Sequence, residues 1–456
     1  MSQAHNKIGL FELTVITSIN IMGAGIIMLP ANLAQVGSIS ILSWLVTAIG
    51  SIVIAYIFAK AGMYTRKKGG MVGYAQYAFG ESGAFMTTYT FTIAIILANC
   101  GIALSVVGYA SNFLHVELTP MGTALCTVAV IWLSAIPSFL GPKFTGKVSD
   151  ITIWGVLIPL IGMCILGWFF FDKNMFIQAW NPHHYSLFDG VSRSISVTLY
   201  AFLGFESAAA NAEVSENPER DIPRAVMIST LITAVIYILS TSAMQGIVPN
   251  AELAASNAPF GLAYQYMFGP TVSTIINLFL TISCFGSLLA WQFTISNQIR
   301  TSAMERFFPK CLESVTRHCA AYKALAVICI VETVLIMMTA SPTLSEQFTV
   351  LINMSVVTNV IPYLYTMAAV LTMARIRKVG KSMITRLDAL VFLGGVYVIY
   401  AIYSSGEIPI IVGSLATFFG IILFGYVYPG LGQEEFIKVE ELNKTLGSKN
   451  LMDNGD

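Results

Sequence analysis

The sequence predicts an all-α membrane protein of twelve transmembrane helices, and three observations carry that prediction. The first is composition: 56% of the 456 residues are hydrophobic and 11% charged, with a mean hydropathy of +0.74, whereas about a quarter of a soluble domain is charged. The second is spacing. Apolar windows of about twenty residues, the length of helix that crosses a bilayer, recur near 11–35, 39–62, 84–113, 120–141, 150–171, 190–212, 223–247, 270–299, 324–341, 346–374, 387–404 and 408–428. Spans of this length are helices, because backbone groups must pair internally in hydrocarbon and a barrel strand is about half as long.

The third observation is the placement of charge. With both ends inside, the cytoplasmic side takes Lys7, Lys60, Arg66 to Lys68, Lys143, Lys147, Arg220, Arg224, Arg300, Arg306, Lys310, Arg317, Lys323, Arg375, Arg377, Lys378, Lys381, Arg386, Lys438, Lys444 and Lys449. That is 22 of the 24 Lys and Arg, with Lys173 and Arg193 alone outside; one missing span would scramble this alternation. The first apolar stretch lacks a small-residue cleavage site and is interrupted by glycines, so it is expected to be a retained helix and not a signal peptide. The outer loops carry Glu117, Asp172, Asp189, Glu252, Glu346 and Glu407, either a rim that concentrates cations or ordinary solvated loop residues. Formal charge is zero, so nothing draws the chain to nucleic acid.

Cys100, Cys126, Cys164, Cys284 and Cys329 lie in apolar runs, and no disulfide framework is expected. Cys311, His318 and Cys319 share a polar loop without a tight Cys pair or a fourth ligand, so no metal is expected. No cofactor motif is present, and the absence of a phosphate-binding loop or a nucleophile, base and orienter triplet argues against an ATPase or an enzyme.

Two windows are interrupted near their middles, by Asn20-Ile-Met-Gly-Ala-Gly-Ile in the first and by Leu203-Gly-Phe-Glu-Ser in the sixth. Matched interruptions five helices apart point to an inverted-repeat transporter with its site near the bilayer midplane; singly, each is also a common helix-packing feature. Amides freed at Gly23, Ala24 and Gly25 would open a half-helix suited to a carboxylate. Carbonyls freed near Tyr200 and Ala201 would suit an ammonium group.

Glu206, inside the second interruption, costs at least ~2.5 kcal/mol as a buried charge unless it meets a cavity, a partner or a proton. It is the first candidate for binding a cation. Glu332 is the competing acid, in a smooth apolar run, read as a protonated or snorkelling residue with a proton-linked role as the alternative. Trp291 sits mid-helix in Gly286-Ser-Leu-Leu-Ala-Trp-Gln-Phe, where an indole face either covers an organic cation or packs in the core.

At these residues the chain resembles the amino acid, polyamine and organocation transporter superfamily, and within it the basic amino acid/polyamine antiporters, above all their putrescine/ornithine type. The likeness runs almost end to end. Its strongest piece is Glu216-Asn-Pro-Glu-Arg-Asp-Ile-Pro-Arg-Ala225, read as a loop entering helix 7 with Pro223 near its first turn, where a missing N–H is harmless. Gly23-Ala-Gly-Ile-Ile-Met-Leu-Pro30, Gly69-Gly-Met-Val-Gly-Tyr-Ala75, Trp180-Asn-Pro-His-His184 and the stretches around Glu206 and Trp291 add to it.

That resemblance implies a LeuT-like fold: a cytoplasmic tail (1–10), helices 1–5 (11–171) and 6–10 (190–374) as inverted repeats, helices 11 and 12 (387–428) outside the core, and a cytoplasmic tail (429–456). It implies residence in the bacterial inner membrane, where homodimers are common in the family. It places the amine-binding carboxylate on Glu206, the aromatic gate on Trp291 and a polar pocket position on Asn99. The chain departs from the family at Tyr200 (usually Trp), Gln76 (Glu in the putrescine/ornithine type), Phe91 (commonly Tyr) and Ala24 (commonly Ser). Gln76 lacks the charge that would meet a second ammonium, so Gln76 and Phe91 are candidate specificity positions.

The implied function is antiport of an amino acid for its decarboxylation product, with ornithine and putrescine leading. Histidine/histamine, lysine/cadaverine and arginine/agmatine are the alternatives, and an amine receptor without transport is the rival class. A channel would need a continuous polar stripe along several helices, which these spans lack.

Overall fold

The computed structural model describes residues 9–64, 70–204, 217–317 and 320–427, and every element among them is helical. The first apolar window is not one helix. It holds α1 (Leu10–Ile21), a 3-10 turn (Ala24–Ile26) and α2 (Leu29–Val36), with Gly23 extended between them at ψ −166°. The sixth window begins as α9 (Leu187–Phe202) and stops where Leu203 turns extended and Gly204 takes φ +117°, a backbone region open to glycine and strained for other residues. Both sequence interruptions are therefore real interruptions of helix. Glu206 lies outside the described residues, as do Glu216, His318 and Cys319.

Between these breaks run α3 (Ser40–Tyr64), α4 (Met71–Leu114), α5 (Pro120–Ser138), α6 (Pro142–Thr152), α7 (Trp154–Leu166) and the short α8 (Lys173–Gln178). After them come α10 (Pro218–Gln245), the short α11 (Asn250–Ala255) and α12 (Pro259–Phe268), α13 (Pro270–Met304), α14 (Tyr322–Met338), α15 (Leu344–Ile376), α16 (Lys381–Ser404) and a last helix, α17, over Glu407–Val427. Among the described residues, nine helical stretches are long and apolar enough to cross a membrane. The other three windows hold shorter pieces: α1 with α2, α9 up to its break, and α14 at 17 residues.

Two boundaries depart from expectation. Helix α4 starts at Met71, before its window at 84, and bends at Gly80 with φ +65°, because its first turns are too polar to register as apolar. Helix α10 opens at Pro218, with the Asn217 carbonyl accepting the Arg220 and Asp221 amides at 3.0 and 2.8 Å. Pro218 thus holds the first-turn position, where its missing N–H costs nothing. Pro223 instead lies inside the helix.

The interior is largely apolar. Trp44 on α3, Phe202 on α9 and Tyr237 on α10 form one aromatic cluster, with ring centroids 5.3 to 6.0 Å apart. Such contacts are worth ~0.5–1.5 kcal/mol beyond the area they bury. Helix α17 has only 11% of its apolar window buried and exposes Phe418, Ile421 and Ile422, the pattern of a helix facing lipid. Several of the acids expected in outer loops have local tasks: Asp172 caps α8 by accepting the Asn174 amide at 2.7 Å, Asp189 accepts the Ser186 hydroxyl at the start of α9, and Glu252 accepts the Tyr266 hydroxyl at 2.7 Å.

Candidate substrate site

The two breaks touch. A Cβ at Gly204 would stand 2.8 Å from the Asn20 carbonyl oxygen, and one at Gly25 would stand 3.2 Å from Cε1 of Tyr200. Opening a helix inside apolar surroundings leaves carbonyls in need of donors, and two buried tyrosines supply them. The Tyr237 hydroxyl lies 3.0 Å from the Ile21 carbonyl and 3.2 Å from the Ala201 carbonyl, so one side chain serves both broken helices. Tyr109 on α4 donates to the Ile27 carbonyl at 2.8 Å. The carbonyls of Tyr200 and Ala201, expected from sequence to be free for an ammonium, each already face one donor, the Leu203 amide at 3.1 Å and the Tyr237 hydroxyl shared with Ile21, and each keeps a second lone pair.

A chamber of about 60 Å³ lies at this junction. Gly23 and Gly25 line it from the first break, Asn99 from α4, Tyr200 from α9, Trp291 from α13, and Ser355 and Asn359 from α15. The structure thus brings Gly23, Gly25, Asn99, Tyr200 and Trp291 to one place. The backbone of Ala24 forms part of the 3-10 turn between those glycines. Tyr200 stands edge-on to Phe348, ring centroids 6.3 Å apart.

A larger cavity of about 880 Å³ continues from the chamber. Asn20, Gly23, Gly204 and Trp291 line both, so Trp291 stands at their junction. Phe91 lines this vestibule, which reaches Gly70, Asp150 and Glu305 at one end of the bundle. Partial desolvation lifts the Glu305 carboxyl above its ordinary range, and the neighbouring Glu81 charge adds to the effect. Gln76 lines neither cavity; its amide donates to Glu81 Oε1 at 2.9 Å. On the vestibule wall, where Thr152 and Ser283 lie, α13 approaches α6 closely. A Cβ at Gly286 would overlap Thr152 at 2.1 Å, and Ser283 donates to the Thr152 carbonyl.

On the far side of the break the chain is tied shut. Asn32 of α2 accepts the hydroxyls of Ser345 and Thr349 on α15 at 3.2 and 2.5 Å, and Gln35 donates to Ser345 at 3.1 Å. The Trp180-Asn-Pro-His-His loop lies over this end: the Ser38 and Ile39 amides donate to the Ala179 and Trp180 carbonyls at 2.8 and 2.9 Å, and His183 Nε2 is 3.0 Å from the Gln35 carbonyl.

Sequence reasoning did not find Tyr109, Tyr237, Asp150, Glu305, Ser355 or Asn359. Mid-helix tyrosines read as packing, and the others carry no local motif. It also separated Asn99 from Glu332, which meet. Asn99 Nδ2 donates to Glu332 Oε1 at 3.0 Å, and Gln292 Nε2 donates to Oε2 at 3.0 Å.

A bundle of membrane-length helices, with two further apolar segments opened around a buried chamber that continues into a wide vestibule, defines a multi-pass membrane permease. The chain belongs to the amino acid permease family, whose model matches residues 8–433. It is 50% identical to the putrescine transporter PotE of Escherichia coli strain K12 over 430 residues, covering 94% of this chain and 98% of that protein. The putrescine transporter PotE of Haemophilus influenzae is 48% identical, again over 94% of this chain and 98% of its own length. A cadaverine/lysine antiporter of Escherichia coli strain K12 is 31% identical, over 80% of this chain and 83% of that protein.

Proposed function

We propose that this chain is a secondary antiporter exchanging ornithine for putrescine across the bacterial inner membrane. The observation that carries the reading is the chamber at the two helix breaks, with hydrogen bonds closing one end and Trp291 leading to a vestibule at the other. The similarity to proteins named as diamine transporters supports the choice of substrate. The twelve apolar windows become twelve spans, with 11–171 and 190–374 as inverted repeats, 387–428 outside them and both termini cytoplasmic. In that orientation the vestibule faces the cytoplasm, and the conformation is inward-open.

Within the chamber, the glycine amides of the first break receive the ornithine carboxylate. Glu206 meets one ammonium group and Trp291 covers it with a π face. Because putrescine leaves without the carboxylate that ornithine brings in, each cycle exports the equivalent of one proton after decarboxylation. Gln76 lies away from both cavities, so its neutral side chain gives no ground for preferring histamine to a diamine.

Proteoliposomes test this reading. Vesicles loaded with putrescine should accumulate labelled ornithine much faster than empty ones. Equal uptake by empty vesicles would rule out obligatory exchange, and saturable binding without flux in either would indicate a receptor.

A further inference from the structure

Glu332 is fully buried, at 0% exposure, in the middle of α14. From α4 it meets Asn99 and the Cys100 thiol, which faces its main-chain carbonyl at 3.9 Å. From α13 it meets Gln292, which also reaches the Ile131 carbonyl of α5 at 3.4 Å, and Cys329 is the titratable neighbour on its own helix. Among the described residues, the groups that hydrogen-bond the carboxyl are two neutral amides, and no Lys, Arg or His joins them. A dry carboxylate without a cation costs several kcal/mol, and the inexpensive remedy is a proton.

The amides accommodate either state. As oriented, both donate N–H to the carboxyl, while Asn99 Oδ1 and Gln292 Oε1 are buried with no protein partner. Turning the Asn99 amide over presents an oxygen to a protonated carboxyl, because an amide exchanges donor for acceptor by a half-turn, while Gln292, held also by the Ile131 carbonyl, keeps its N–H toward the other carboxyl oxygen. Asn99 also lines the chamber, and Gln292 follows Trp291, the residue shared by chamber and vestibule. Asn99 Oδ1 is covered in this conformation, so an ammonium group entering the chamber gains it as an acceptor by uncovering it. Accepting that bond holds Asn99 with its N–H toward Glu332 and polarises it, and both effects favour the ionised carboxylate.

We propose that Glu332 is a proton-binding site linked through the Asn99 amide to the amine chamber, so that amine binding expels its proton and proton binding weakens amine binding. The inference rests on the preceding reading for the identity of the ligand. Glu332 is a positioning and proton-holding residue here; it does not touch the amine.

Linkage is reciprocal, so the test is the pH dependence of putrescine affinity on the purified full-length protein, over a range in which the diamine keeps both charges. Wild-type affinity should rise with pH, and one linked proton contributes up to about tenfold per pH unit. E332Q should bind putrescine with that contribution missing, leaving whatever slope other carboxyls supply. Equal slopes in wild type and E332Q would overturn the proposal. If E332Q does not fold, N99L takes its place, since it keeps the carboxyl and removes the relay; an undiminished slope there is equally fatal. A second arm needs no ligand. The infrared spectrum of the amine-free protein should contain a protonated-carboxyl C=O band that E332Q lacks and N99L shifts, and its absence from the wild type would overturn the proposal. Should the protein bind no diamine at all, the functional reading fails while the infrared band still decides the proton site.

Discussion

Gly204 sits on Asn20: a Cβ at position 204 would stand 2.8 Å from the Asn20 carbonyl oxygen, at a backbone φ of +117°. The break in α9 is thereby seated on the last turn of α1, and the two openings form one junction. Gly204→Ala meets both the contact and the backbone strain, the latter alone at least ~1–2 kcal/mol. The variant should melt at lower temperature and lose amine binding. Wild-type melting and binding would show that the breaks adjust independently.

Tyr237 supplies a hydroxyl to both sides of that junction, at the Ile21 and Ala201 carbonyls. Tyr237→Phe leaves the packing with Trp44 and Phe202 in place and removes the donor. A hydrogen bond within a membrane protein averages about 0.6 kcal/mol, and a buried group left unsatisfied costs about 1–3 kcal/mol. A modest drop in stability is therefore expected, with a larger fall in exchange rate, because both half-helices lose a common anchor. A thermal-shift measurement beside vesicle exchange separates the two effects; a stability loss with exchange intact would make Tyr237 a packing residue alone.

Gln76 lies on the first turns of α4 beside Glu81, off the walls of both cavities. Gln76→Glu should leave the ratio of putrescine to histamine affinity unchanged within about twofold, equivalent to ~0.4 kcal/mol. A competition assay on the purified variant reads this directly, and a tenfold shift toward putrescine would return the residue to the specificity positions.

Trp291 lines chamber and vestibule together. If its indole covers an ammonium, Trp291→Phe and Trp291→Tyr should retain much of the affinity, whereas Trp291→Leu should lose on the order of 0.5–2 kcal/mol, the range of a cation–π contact. Equal losses in all three would indicate packing.

The helix breaks were legible because glycine-marked interruptions recur in two apolar runs five helices apart, and helix is interrupted at Gly23 and at Gly204. Trp291, singled out by its mid-helix setting, and Tyr200, singled out by the resemblance, both line the chamber. The rest depended on contacts that sequence spacing does not encode. Tyr237 reaches Ile21 across 216 positions and Asn99 reaches Glu332 across 233, so nothing near either residue marks the partner. Pro218 and Pro223 illustrate a subtler limit, since either satisfies the first-turn rule and the helix start decides between them.

The central claim is that the diamine occupies the chamber where the two broken helices meet. A structure of the protein determined with putrescine bound tests it most directly. Density for the diamine is expected between Asn99, Tyr200 and Trp291, with carbon atoms within about 4–4.5 Å of the aromatic rings and an ammonium group facing the break that leads to Glu206. Putrescine found only in the vestibule beside Asp150 and Glu305, with the chamber closed to it, would contradict the account.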